Sequence, residues 1–381
     1  MKNRRIRLVH IITGLDAGGA ETMLAKLLKG MNKKNFQNEV ISLTSIGPVG
    51  TELRDLGFKV TSLGMRRGLP SPQSVLKLFF LLRKSRPDLV QTWMYHSDLI
   101  GGIVARLCGI KNLCWNVRHC NLDKGKNKFL TLLTAKACAI LSGLIPSRII
   151  CNSHAGKLTH SDFGYVDQKI QVIPNCFDLG DFFPDAKIRN QVRKTLRIDN
   201  DTFVFGHIGR YDVQKNHEGL FRSFALVVDR YPDALLVCCG KNVSSENRKI
   251  IDQIQTLNLC ENVLLLGLRK DISEILNAFD LLVSSSVGEG FSNAIGEAMA
   301  VELPCVVTDV GDSARVVGST GWVVDPDCHK SMAEAMILAM DAPRMKLRKR
   351  GRRARLRVGE IFSVEAIISS FEQLYLKLIF K

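Results

Sequence analysis

Short apolar runs that stop at glycine recur along this chain, and each is followed by a stretch with apolar residues at helical spacing. Arg7 to Ile12 runs into Gly14, Gly18 and Gly19, and Glu21 to Leu28 then shows a helical period. Strand-like Glu39–Leu43, Lys59–Leu63, Asp88–Thr92, Leu113–Val117 and Arg148–Cys151 alternate with helical Thr51–Leu56, Val75–Arg83 and Leu99–Cys108. Strand and helix taken in turn, many times over, make a parallel sheet covered by helices. Near 172–184 the alternation breaks. Val172 to Asp178 closes a strand, and a polar segment follows to about Asn200. A second series begins at Phe203–Gly209 and continues through Ala234–Gly240, Val263–Gly267, Leu281–Val283 and Cys305–Thr308. The pattern predicts two doubly wound α/β halves, which also suits a length of 381 residues. Ligands of such sheets sit beyond the carboxyl ends of the strands.

Charge divides the halves. The net charge is +16, and residues 1–180 carry +15 of it, with 26 basic and 11 acidic side chains. Such asymmetry points to an anionic partner for the first half: a membrane surface, a nucleic acid or a phosphorylated substrate. A second basic run, Arg344 to Arg357, holds nine cations in fourteen residues and reads as a solvated helix or a headgroup patch. The eleven cysteines fit no zinc spacing, and most sit in apolar runs, which predicts free thiols in a reducing cytosol. Lys2, Arg4 and Arg5 before an apolar stretch imitate a signal peptide, but Arg7 and His10 interrupt it. The most apolar region, Phe129 to Cys151, is broken by Lys136, Pro146 and Arg148. It is too short and interrupted to span a bilayer, and reads as a buried helix and a strand.

Three segments carry chemistry. The loop Gly14 to Thr22 follows the first strand and opens a helix, so Gly18 and Gly19 either let backbone approach an anion at the helix N-terminus or serve a turn with positive φ. Its spacing is not the dinucleotide fingerprint, which disfavours a nicotinamide enzyme. In Gly209 to Asn216, Arg210 offers a fork and Lys215 a mobile point charge, a pair suited to a diphosphate. In Ser284 to Ala300, Glu289 lies in a glycine-flanked loop, and Ser292 or Asn293 caps a helix that carries Glu297 one turn in. Residue N3 of that helix is not acidic, so Glu297 is no capping-box partner.

These segments, in this order, resemble the large family of retaining GT-B-fold glycosyltransferases that use nucleotide-sugar donors. The likeness runs from Gly18-Gly19-Ala20-Glu21-Thr22 through Val172-Ile173-Pro174-Asn175, Gly209-Arg210 with Lys215, and Glu289-Gly290-Phe291 to Glu297-Ala298-Met299-Ala300, ending at Thr308-Asp309-Val310-Gly311. The resemblance implies two Rossmann-like domains facing a cleft. It places an acceptor-binding domain at 1–178, a donor-binding domain at 179–360, and a helix at 361–381 packing back on the first. It implies that Arg210 and Lys215 bind the donor diphosphate, that Glu289 contacts the transferred sugar, and that Glu297 holds the ribose hydroxyls. Backbone amides at Gly290, Phe291, Ser292 and Asn293 would face sugar and phosphates, and Gly18 and Gly19 would close over the donor. Family members often have a histidine at the end of a middle strand of the first domain; here Arg118 or His119 takes that place, and His96 is a second candidate on the acceptor side. One departure is Glu302, where the family usually has glycine before the proline.

The implied enzyme is a metal-independent hexosyltransferase with no cofactor, its donor a UDP-sugar. It adds a sugar to a glycan or lipid-linked acceptor in surface polysaccharide or lipopolysaccharide synthesis. It would be cytoplasmic and peripheral on the inner face of the membrane, drawn there by the basic first domain, each nearby Lys or Arg contributing about 1 kcal/mol. Two alternatives stay open at this level: a sugar-nucleotide epimerase on the same fold, and a basic nucleic-acid-binding protein. The second explains the charge but not the acids in glycine loops, and with 7% aromatic residues the chain shows no base-stacking pattern.

Overall fold

The computed structural model describes residues 4–16, 18–66, 71–118, 120, 122 and 129–380. The chain divides into two compact units: residues up to Cys176 together with those from Val364 on, and Phe177–Ser363.

The first unit is built on a seven-stranded sheet whose strands all pair in parallel. They are β1 (Ile6–Ile12), β2 (Phe36–Ser42), β3 (Lys59–Ser62), β4 (Leu89–Trp93), β5 (Leu113–Val117), β6 (Arg148–Cys151) and β7 (Ile170–Val172), in spatial order β3-β2-β1-β4-β5-β6-β7. Strands covered on both faces read as continuous apolar runs, and β4 and β5 are wholly buried. Its helices are α1 (Gly19–Gly30), α2 (Gly47–Asp55), α3 (Pro72–Ser85), α4 (Tyr95–Leu107), α5 (Phe129–Leu141) and α6 (His154–Phe163). Helices α2, α3 and α4 start three or four residues earlier than their apolar period shows, because their first turns hold glycine, proline or polar residues in place of the repeating apolar ones. In α3, Ser71 caps the end by accepting from Ser74 N (3.2 Å), and Pro72 occupies the first turn, where no N–H is missed.

The second unit repeats the plan with six parallel strands, β8 (Val204–Ile208), β9 (Leu235–Cys239), β10 (Val263–Leu265), β11 (Leu281–Ser284), β12 (Cys305–Thr308) and β13 (Trp322–Val324), in order β10-β9-β8-β11-β12-β13. Around it lie α7 (Ala186–Thr195), α8 (His217–Val228), α9 (Arg248–Thr256), α10 (Ile272–Asn277), α11 (Asn293–Ala300), α12 (Ser313–Val317), α13 (His329–Asp341) and α14 (Arg344–Ile361). The last helix, α15 (Val364–Ile379), belongs to the first unit. There Ile368, Phe371 and Tyr375 share a core with Leu24 and Leu28 of α1, and the Tyr375 hydroxyl donates to buried Gln91 of β4.

Several sequence expectations change. Helix α5 is not buried: only Ala135, Cys138 and Ala139 face inward, while Phe129, Leu130, Leu133 and Ile140 are exposed. An apolar residue at nearly every position conceals which side meets the sheet, and small side chains do so here. The polar segment before Asn200 holds a helix, α7, and β13 is a strand too short to stand out. The basic helix α14 is neither a free patch nor simply solvated. Arg355 donates to the carbonyls of Leu179 (3.1 Å) and Phe182 (2.7 Å), Arg357 to that of Val316 (2.9 Å), and Arg350 stacks on Trp322 at 4.1 Å. Neither Gly18 nor Gly19 has a positive φ; Gly18 is extended and a Cβ on Gly19 would meet nothing within 4 Å. Glu302 adopts φ +62, so it takes the left-handed turn that a glycine would take without strain. Seven of the eleven cysteines are buried, and none is joined in a disulfide among the described residues. Among the described residues no helix is long and apolar enough to cross a membrane.

The polarity of α7 has a purpose. Arg193, 1% exposed, donates to the carbonyls of Ala278 (2.9 Å), Asp199 (3.0 Å), Asn200 (3.1 Å) and Thr202 (3.0 Å) and to Asp280 Oδ2 (2.7 Å). Asp280 also accepts from Val204 N (2.8 Å) and Arg189 (2.6 Å). Arg193→Met leaves four carbonyls without their donor and Asp280 with Arg189 and Val204 N alone, and should cost about 3 kcal/mol in urea unfolding; a loss under about 1 kcal/mol would show the cluster to be dispensable.

Each sheet also buries a histidine in its first strand. In β1, Trp93 Nε1 donates to His10 Nδ1 (3.3 Å), which leaves Nε2 to donate to Asn38 Oδ1 (3.1 Å); in β8, His207 Nδ1 donates to the Val283 carbonyl (2.9 Å). Burial lowers the two pKa values to about 4 and about 3. The unfolded chain takes up these protons near pH 6.5 and the folded chain does not, so stability falls as pH drops from about 6.5 towards about 4. The variant His10→Gln/His207→Gln should show a flatter decline across that window; parallel curves would mean the histidines carry no linkage.

Candidate functional site

Strands β8 and β11 are neighbours from which the chain departs in opposite directions, so the crevice beyond their carboxyl ends is the switch point of the second sheet. Two loops border it, 209–216 after β8 and 285–292 after β11.

The first loop is shaped by a cap. Asp212 accepts from Gln214 N (3.0 Å) and opens a single 3-10 turn, Val213–Lys215, while its other oxygen pairs with Arg210 Nε (3.2 Å). Burial pushes the Asp212 carboxyl up, but the Gln214 N–H and the Arg210 guanidinium outweigh it and leave its pKa below the ordinary value. Arg210 is held at its base and has its side chain 57% exposed. The turn carries Lys215 across to the second loop, where its ammonium forms an ion pair with Glu289 Oε1. Both side chains are largely buried, 17% and 13% exposed.

Several contacts fix that pair. Ser286 Oγ donates to Glu289 Oε1 (2.9 Å), Val287 N to the Gln214 carbonyl (2.8 Å), and Ser285 Oγ to the Lys215 carbonyl (2.9 Å). The segment after β12 supports the loop from below: Thr308 Oγ1 donates to the Ser286 carbonyl (2.6 Å) and Asp312 N to that of Gly290 (3.0 Å). Gly311, at φ +62, has room for no side chain, since a Cβ would lie 2.5 Å from the Glu289 carbonyl oxygen. Helix α11 then begins. Ser292 is its cap position, but its side chain makes no capping hydrogen bond. Phe291 turns its ring inward, stacked on Phe177 at 6.0 Å, so only its backbone borders the crevice. Glu297 is half-buried one turn into α11.

Behind the first loop stand two residues that sequence reasoning missed. The buried rings of His207 and His217 lie 4.8 Å apart, and His207 Nε2 has no partner among the described residues. Burial, with Lys215 nearby, lowers the His217 pKa to about 4. Asp212 and Ser286 had a local signal, an acid two residues before a turn amide and a hydroxyl three residues before an acid.

The remaining candidates lie in the first unit. Arg118 follows β5 directly. Its Nε donates to Asn116 Oδ1 (3.2 Å), its Nη1 to Asn175 Oδ1, and its guanidinium sits 5.0 Å over the Trp93 ring. Its Nη2 is enclosed with no partner among the described residues. Burial lowers its pKa to about 10. Glu21, on the first turn of α1 after Gly18 and Gly19, is half-buried; its pKa is raised by burial first, then by Asp16, while Arg118 opposes the shift. His96 is half-buried on the first turn of α4, and burial lowers its pKa. It follows Met94, which holds φ +72, a strained conformation for a side-chain-bearing residue. His119 lies outside the described residues. Among the described residues no group of three or more His, Cys, Asp or Glu could hold a metal.

Comparison with known proteins gives this architecture a family. Residues 17–181 match the family model "Glycosyltransferase Family 4", and residues 202–341 match "Glycosyl transferases group 1". The chain is 28% identical to a UDP-Gal:alpha-D-GlcNAc-diphosphoundecaprenol alpha-1,3-galactosyltransferase of Escherichia coli, over 94% of this chain and 97% of that one. It is 26% identical to the capsular polysaccharide biosynthesis glycosyltransferase CapM of Staphylococcus aureus, over 98% and 97%. Among solved structures, Anabaena HepE in complex with UDP shares the fold with a TM-score of 0.85 at 21% identity, covering 98% of this chain and all of that one. The epimerase and nucleic-acid readings find no support among these matches. The two domain matches together span most of the sequence, and the chain belongs to the glycosyltransferases that they describe, with the GT-B fold of the structural neighbour.

Proposed function

We propose that this glycosyltransferase moves a hexose from a UDP-sugar to a lipid-linked or glycan acceptor in surface polysaccharide synthesis, with retention of anomeric configuration and without a metal. The observation that carries the reading is the Lys215–Glu289 pair at the switch point of the second sheet, with exposed Arg210 on the same loop. Two cations beside the uncapped start of α11 suit a diphosphate. The relatives supply the substrate classes: one is named for UDP-Gal and a diphosphoundecaprenol-linked acceptor, another for capsular polysaccharide.

In this reading Lys215 and Arg210 offset the charge that grows on the leaving diphosphate, a preorganised electrostatic role. Glu289, fixed by Lys215 and Ser286, contacts the transferred sugar, and Glu297 takes the ribose hydroxyls. Gly290, Ser292 and Asn293 offer backbone amides. The sugar's bond to the phosphate oxygen breaks as the acceptor oxygen bonds to the same face, and the acceptor proton passes to the departing phosphate. Arg118, whose Nη2 has no partner among the described residues, stands in the place of the family histidine, and His96 serves the acceptor side. Gly18 and Gly19 leave the start of α1 open to the donor.

Thermal unfolding with a panel of nucleoside diphosphates tests the donor. UDP at 100 times its dissociation constant should add about 2.7 kcal/mol of stability, and Arg210→Ala should abolish the gain. Stabilisation by another diphosphate alone would reassign the base, and none at all in a folded sample would sink the reading. Glu289→Gln separates binding from chemistry: UDP should still stabilise the variant, while transfer falls about a hundredfold or more. A variant that transfers at the parent rate would remove Glu289 from the reaction.

A further inference from the structure

The outer face of the first unit carries a feature that the transfer reaction does not use. Helix α4 packs between α3 and α5, and all three turn small or apolar residues into one core beneath them. Each also exposes an apolar stripe on the opposite side. On α3 it is Leu76 and Phe80, one turn apart; on α4 it is Ile103 and Leu107, again one turn apart. On α5 it is Phe129, Leu133 and Ile140, and Leu144 extends it past the helix end. These side chains are between 39% and 78% exposed. Single exposed leucines need no explanation, but three adjacent helices with parallel stripes do.

The charge around the stripes selects the occupant. Exposed Lys77, Arg83 and Lys84 border the stripe on α3, and Lys111 follows α4. Helices α3 and α5 contain no Asp or Glu, and the one acid of α4, Asp98, is buried. A second copy of this face would set cation against cation. Three helices with exposed apolar stripes, exposed cations on α3 and no exposed acid of their own fit an anionic bilayer, where the stripes enter the acyl boundary and the cations meet the headgroups.

The geometry points to the α3–α4–α5 face as a docking surface for anionic lipid, with Phe80, Leu107 and Ile140 as its inserted side chains. It deepens the reading above and rests on it, since a lipid-linked acceptor is met at a bilayer. The test is flotation with vesicles of phosphatidylcholine, with and without phosphatidylglycerol. The parent protein should float only with the anionic vesicles. Phe80→Glu/Ile140→Glu and Lys77→Ala/Lys84→Ala should each weaken flotation roughly tenfold or more, with the thermal midpoint and the UDP-dependent stabilisation unchanged. Equal flotation of parent and variants, no flotation at low salt, or a dimer that Phe80→Glu/Ile140→Glu dissolves in the absence of lipid binding would each overturn the assignment. In the parent protein, absent flotation with the UDP response intact marks failure of the surface, and an absent UDP response with flotation intact marks failure of the donor reading.

Discussion

The ion pair between Lys215 and Glu289 ties together the two loops that border the switch point of the second sheet. Neither residue sits on an α-helix or a strand: one ends a single 3-10 turn and the other lies between glycines. With both side chains mostly out of water, their attraction is stronger than that of a surface pair, and loss of either leaves a charge without its partner. The pair also shapes how an anion is received. On the proposed reading a diphosphate meets a lysine that is already desolvated and aimed, so binding exchanges partners at Lys215 and need not draw a hydrated ammonium out of solvent.

Much of this was legible in advance, for a physical reason. Parallel strands covered on both faces must be apolar throughout, and the chain must turn sharply where each one ends. Leu113–Val117 and Arg148–Cys151 therefore show their bounds in the sequence itself, and Lys215 and Glu289 stand out as charges just past such ends. What stayed hidden is set by packing. Nothing local to α7 tells which of its cations turns inward; Arg193 does so because four carbonyls and Asp280 converge on it from segments up to 87 residues away. The exposure of α5 was hidden for the opposite reason, since apolarity marks burial only when a polar face exists to contrast with it. His207 lies in an apolar strand and His217 in a polar run after the loop, and only the fold brings their rings together.

The two units apply one plan to different ends. In the first, the switch point falls between β1 and β4, where the Thr13 and Ser97 hydroxyls hydrogen-bond (3.1 Å) and strained Met94 turns the chain into α4. The charged group there, Arg118, stands one strand further out and is shared between Asn116, Asn175 and the Trp93 face. In the second, the charges stand at the switch point itself. Equivalent scaffolds thus carry unlike loops, as expected when the sheet supplies position and the loops supply chemistry.

The main chain, more than the side chains, makes the second site rigid. Gly209 N is bound by the Cys239 carbonyl (2.9 Å), Tyr211 N by that of Lys241 (2.9 Å), Val287 N by that of Gln214 (2.8 Å), and Asp312 N by that of Gly290 (3.0 Å). Each bond joins the end of one strand to the end of a neighbour, so the loops after β8, β9, β11 and β12 form one tied rim. Such a rim holds its amides and carbonyls in place whichever side chains it bears, and only positions like Gly311, where backbone meets backbone, are closed to substitution. On the proposed reading, a site of this kind keeps its grip on a common diphosphate while the exposed residues around it change. Discrimination among sugars and acceptors is then left to the few side chains that project from the rim and to the separate loops of the first unit.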